Sequence, residues 1–265
     1  MNLQNLFNEL EKVDGEVFDR MASVSRRGLF SSLTKKTIAA AAPAIMASAV
    51  TTAYGQSSSL PDNVVDVLNF ALTLEYLEAE FYEIANNSPG LIPSAYKAPF
   101  ETIRRHEVAH VNLLKSVLGP KAISKPGFDF TAKGNFPDVF RNFQTYLAVS
   151  QAFEDTGVRA YKGQAANLMN AKPILEVALQ IHAAEAAHAA RVRYLRGQKG
   201  WISGNGPSGL PAAAAGVYAG EGNLTQGGVN LQEAFGGRFT TDAISEAFDE
   251  ILTKEQVIAI VTPFL

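Results

Sequence analysis

"RRHEVAH" (residues 104–110) and "HAAEAAH" (residues 182–188) each place a glutamate three residues ahead of a histidine, inside an apolar run of helical period. On an α-helix, positions i and i+3 differ by about 60° in azimuth and about 4.5 Å in height, so such a carboxylate and imidazole serve the same point in space. The chain has only four histidines and 17 glutamates in 265 residues. Two Glu-x-x-His pairs among them are roughly a 2% event by chance, so the repetition signals a shared use.

Outward from these two runs, hydrophobic period and turn residues predict four long helices, at 61–86, 99–118, 137–170 and 173–195. Pro61, Pro99, Pro137 and Pro173 stand at or near the starts, where a backbone N–H has no helical partner. In the second helix the inward stripe reads Phe100, Ile103, Glu107, His110, Leu114, Val117. In the fourth it reads Ile174, Ala178, Ile181, Glu185, His188, Val192, Leu195. The first helix turns Val64, Leu68, Ala71, Glu75, Glu78 and Tyr82 inward, and the third turns Leu147, Ser150, Glu154, Gly157 and Tyr161 inward. Every helix therefore aims a carboxylate at the core near mid-length. Buried carboxylates need a positive partner, and no Lys or Arg lies on these stripes, so a metal centre is the simplest one.

Glu75 precedes Glu107 by 32 residues and Glu154 precedes Glu185 by 31, so two helical hairpins repeat one pattern. Four carboxylates and two imidazoles from four helices form the donor set of a dinuclear carboxylate centre. Oxygen-rich donors with one imidazole per ion suit two metal ions of iron or manganese. Glu78 shares the first stripe and is the alternative to Glu75; the position of Tyr82 and the 32-residue match favour Glu75. His182, three residues before Glu185, is placed either to hydrogen-bond a ligand or to sit in the helix without a metal role. His106 lies one position off its stripe and is expected to be solvated or capping. Asp155 is expected to point away from the core into solvent.

The absence of cysteine excludes disulfides, thiolate metal sites and cysteine nucleophiles. A net charge of -3 without long basic runs leaves no electrostatic footprint for nucleic acid. Residues 1–55 read as a targeting region: Arg26-Arg27, then Lys35-Lys36, an Ala-rich stretch broken by Pro43, and a small-residue Ala47-Ser48-Ala49 site. The stretch makes a poor membrane span. The expectation is export to the periplasm or beyond by the twin-arginine machinery, which carries folded protein with its metal already bound. Residues 56–197 then form the bundle, and 198–265 a Gly-rich wrap that ends in two short helices, at 241–250 and 253–261. Between the second and third helices, "SKPGFDFTAKGNF" (residues 124–136) is expected to form a hairpin or lid.

The pattern resembles the ferritin-like superfamily. "LNFALTLEYLEAEFYE" (residues 68–83) and the C-terminal "AFDEILTKEQVIAIVTPFL" (residues 247–265) are similar to the exported ferritin-like domain family that includes plant desiccation-related proteins. The resemblance implies an all-α, ferritin-like four-helix bundle with a di-metal site on Glu75, Glu107, His110, Glu154, Glu185 and His188. It also implies tyrosines behind the ligands at Tyr82 and Tyr161, for which plain core aromatics are the alternative. In that superfamily such centres activate dioxygen, oxidise iron, or reduce or dismutate peroxide. Three functions therefore stand at this point: a metal-dependent oxidoreductase acting on dioxygen or peroxide, a non-catalytic protein of desiccation or stress protection, and an iron-storage cage. The long insert and the C-terminal extension weigh against the cage.

Overall fold

The computed structural model describes residues 60–204, 206 and 210–265. The twin-arginine region expected at 1–55 lies outside the described residues. Four helices form the body: α1 (Asp62–Asn87), α2 (Lys97–Leu118), α3 (Phe143–Gln164) and α4 (Lys172–Leu195). The hairpins α1–α2 and α3–α4 pack against each other through α1 on α3 and α2 on α4, an all-α bundle. No helix among the described residues is long and apolar enough to cross a membrane.

The helix ends follow local chemistry. Pro61 precedes the first turn of α1, and Pro173 sits in the first turn of α4. Helix α3 starts at Phe143, six residues later than the apolar period predicts. Asn142 caps it by accepting the Gln144 N–H at 2.9 Å, while Asp138 Oδ2 accepts from Asn142 Nδ2 at 2.9 Å and holds the preceding residues in a turn.

The expected hairpin at 124–136 does not form. Asp129 accepts hydrogen bonds from the Thr131 and Lys133 N–H groups, both at 3.0 Å, and folds the segment into a tight turn with Ala132 and Lys133 at positive φ. The turn drives Phe130 and Phe136 into the bundle core among Phe81, Tyr146 and Phe153. Phe264 closes over them, its ring 4.8 Å from Phe153 and its carbonyl accepting the Asp129 N–H at 2.8 Å.

Among its described residues the C-terminal wrap holds a two-strand turn, β1 (Thr225–Gln226) antiparallel to β2 (Val229–Asn230), and three short α-helices: α5 (Leu231–Ala234), α6 (Thr241–Ser245) and α7 (Lys254–Val261). The Thr253/Gln256 capping box opens α7. Helix α6 stops at Ser245, short of the expected 250, and the chain beyond it lies against α3. Arg159 donates to the Glu250 carbonyl at 2.9 Å, and Lys162 donates to that of Asp249. The wrap covers the outer face of α3 with Ile202, Leu210, Val217 and Tyr218, so α3 is buried all round from Tyr146 to Tyr161.

Gly163 marks the closest approach: a Cβ there would stand 2.0 Å from the Leu252 carbonyl oxygen. Backbone cannot yield as a flexible side chain does. Gly163→Ala is expected to lower stability by about 1–3 kcal/mol, the usual range for overpacking, read as a lower urea midpoint; an unchanged midpoint would mean that the wrap does not lie against α3.

Candidate metal centre

The Glu-x-x-His spacing does its work at mid-bundle. Glu75, Glu107, Glu154 and Glu185 are all 0% exposed. Glu75, Glu107, His110 and Glu185 each offer a donor atom within 4.8 Å of the others, and so do Glu107, Glu154, Glu185 and His188. The two groups share Glu107 and Glu185, the glutamates of the two Glu-x-x-His pairs. His110 Nδ1 lies 3.1 Å from Glu75, 3.2 Å from Glu107 and 3.3 Å from Glu185. His188 Nδ1 lies 2.8 Å from Glu107 and 3.3 Å from Glu154. The structure thus brings together all six residues singled out in the sequence.

The two tyrosines reach across the repeat. Tyr82 of α1 donates its hydroxyl hydrogen to Glu154 of α3, and Tyr161 of α3 donates to Glu75 of α1 at 2.5 Å. Each therefore holds a glutamate of the other hairpin. His182 does not bond a ligand: it faces the α3 backbone, with Nδ1 3.0 Å from the Val158 carbonyl. His106 is exposed as expected, yet it is not merely solvated. Its Nδ1 is 2.9 Å from His188 Nε2 and the two rings stack at 5.1 Å. It bridges from the edge of α2 to α4.

Asp155 is the clearest correction, buried at 2% exposure instead of solvated. Arg193 donates to both its oxygens, at 3.0 and 2.5 Å, and Tyr218 donates at 2.7 Å. Gln151 Nε2 donates to the Tyr218 hydroxyl at 2.9 Å, and Arg159 pairs with Glu221 at 2.7 Å. Residues 151, 155 and 159 form a polar stripe of period four on the outer face of α3. That stripe was the available sign that this face meets something polar.

The donor set suits a cation on an observation of its own. Glu107 Oε1, Glu154 Oε2, both oxygens of Glu185 and His188 Nδ1 are buried without a hydrogen bond, although several lie within ion-pair distance of one another. Lone pairs that converge without an aligned hydrogen match the needs of divalent ions.

Without a cation the cluster must neutralise itself. Burial, against the pull of His110, raises Glu75 to about 7. Burial and neighbouring carboxylates push Glu185 well above its ordinary range, and burial raises Glu154 despite His188. Burial opposes charge on His188, but Glu154 and Glu107 hold it at about 11; the same competition lifts His110 well above its ordinary value. Burial also works against Glu107, yet the His110 and His188 imidazoles beside it hold it well below the usual carboxylate range.

These directions fix a pH dependence. Glu75 stabilises the fold below its unfolded value near 4.3, and that contribution is lost as pH rises through about 7; the raised Glu154 and Glu185 lose theirs in the same direction. His188 contributes fully below about 6.5 and loses it as pH rises towards 11, and the raised His110 follows in the same direction. Glu107 alone runs the other way, contributing above about 4.3 and losing that on acidification. Metal-free protein is therefore expected to lose stability between pH 5 and 9, by about 1.4 kcal/mol per pH unit for each proton released. Melting curves of chelator-treated protein check this; a melting temperature that rises over that range would contradict the cluster's electrostatics.

Comparison with known proteins follows the same helices. No curated protein matches the chain. The family described as Ferritin-like domain matches residues 63–198, just over half of the chain. The match runs from the first turn of α1 to just past the end of α4, so it covers the whole bundle, and the chain belongs to the ferritin-like domain family.

Proposed function

We propose that this chain is an exported di-metal carboxylate protein whose two ions, iron or manganese, act on dioxygen or peroxide. The observation that carries the reading is the pair of donor groups overlapping at Glu107 and Glu185. Glu75 and His110 would hold one ion and Glu154 and His188 the other, with Glu107 and Glu185 within reach of both. When bound, the ions supply electrons and Lewis acidity. The chain supplies the surroundings. Full burial of the four carboxylates keeps bulk water away, and Tyr82 and Tyr161 fix the orientation of Glu154 and Glu75. For His188 Nδ1 to present a lone pair, Nε2 carries the proton and donates it to His106 Nδ1, which sets the ring's orientation.

The test matures the full chain with Fe(II) or Mn(II), measures bound metal, and follows consumption of dioxygen and of hydrogen peroxide. About two ions per chain with turnover of either oxidant supports the proposal. Two ions that stabilise the fold without turnover would instead assign the non-catalytic, protective role of the desiccation-related kind. Export is tested separately: replacing Arg26 and Arg27 by lysine is expected to hold a precursor in the cytoplasm, and undiminished export would refute the twin-arginine route.

A further inference from the structure

We propose that Glu78 is a fifth carboxylate ligand of this centre, reaching the ion on the Glu154/His188 side through the space left by Gly157. The inference rests on the reading above that the cluster holds two ions.

It begins in the internal repeat. An offset of 79 residues carries Glu75 onto Glu154 and Tyr82 onto Tyr161, and it carries Glu78 onto Gly157. At this inward position the two halves differ in charge, a carboxylate in α1 against no side chain in α3. The difference is complementary in space. A Cβ built on Gly157 would stand 3.3 Å from Glu78 Oε1 and 3.0 Å from Glu185 Oε2. The glycine thus opens the gap against which Glu78 lies, beside one of the two glutamates common to both donor groups. Gly157 is helical, with no positive φ to require glycine, so close approach is the reason for it.

Glu78 is 3% exposed, and among the described residues no hydrogen bond or ion pair reaches its carboxyl group. Glu75, Glu107 and Glu154 each have a tyrosine or histidine partner. Burial, then Glu185 and Glu154, push Glu78 well above the ordinary carboxylate range, as expected for an acid that faces only other acids. A purely structural residue at this place would be apolar or amide.

The consequence is an unequal pair of positions. Four carboxylates balance two divalent ions, and a fifth balances one further positive charge. Glu78 therefore favours an ion of higher charge on the Glu154/His188 side.

The experiment titrates metal-free full-length protein with Mn(II) under anaerobic conditions, by calorimetry. Wild type is expected to bind two ions. Glu78→Gln keeps the shape and removes the charge; it should weaken one of the two ions by about tenfold or more, leave the other unchanged, and leave the metal-free melting temperature equal or higher. Glu78→Asp, which keeps the charge but shortens the reach, should weaken the same ion. Two ions at wild-type affinity in either variant would overturn the assignment of Glu78 and leave the di-metal reading standing. No Mn(II) bound by wild type would remove both. Should Glu78→Gln fail to fold, Glu78→Asp decides alone.

Discussion

Replacing Glu107 and Glu185 together by alanine is expected to abolish binding of both ions, since each serves both donor groups. In wild type, each ion at a thousandfold excess over its Kd should add about 4 kcal/mol of stability. The double variant should show no metal-dependent shift in melting temperature and no reaction with dioxygen or peroxide. Its metal-free form should depend less on pH, because Glu185 no longer competes for protons in the folded state. A double variant that still gains stability from metal would place the ions elsewhere.

The second large effect lies on the opposite face of α3. Asp155→Ala leaves Arg193, itself only 2% exposed, as a buried cation without its two charge-assisted bonds. Breaking such a pair from one side costs about 3–5 kcal/mol, and Tyr218 loses its acceptor as well. The Asp155→Ala/Arg193→Met double variant should recover most of the loss, because it removes both charges from the interior. Urea unfolding checks both. A loss below about 1 kcal/mol for Asp155→Ala, the range of exposed pairs, would mean that water reaches this face and that the wrap is loose.

The bundle and the central cluster were legible because both arise within single helices. A period of 3.6 residues fixes which side chains share a face, and a Glu-x-x-His spacing fixes that the two groups meet, whatever the partner helices are. Residues whose surroundings come from distant chain were not legible. Asp155 was expected in solvent because the outer face of a bundle helix normally meets water; here Ile202, Leu210, Val217 and Tyr218 cover it. His106 is one position, about 100°, from Glu107 on α2, and only the closeness of α4 makes it a partner of His188. His182 is the converse case: it shares a helix face with Glu185, yet lies one turn below the cluster and meets the α3 backbone instead. The 124–136 segment looked like a hairpin from its glycines and aromatics. Its fate was decided by the Asp129 turn and by Phe264, 135 residues further along the chain.

The central claim, that the six residues of the cluster hold two ions between them, is tested most directly by anomalous diffraction from crystals of iron- or manganese-loaded protein, collected on either side of the metal edge. The account predicts two peaks about 3.5–4 Å apart, both within bonding distance of Glu107 and Glu185, one beside Glu75 and His110 and the other beside Glu154 and His188. A single peak, or peaks away from these glutamates in fully loaded protein, would contradict it.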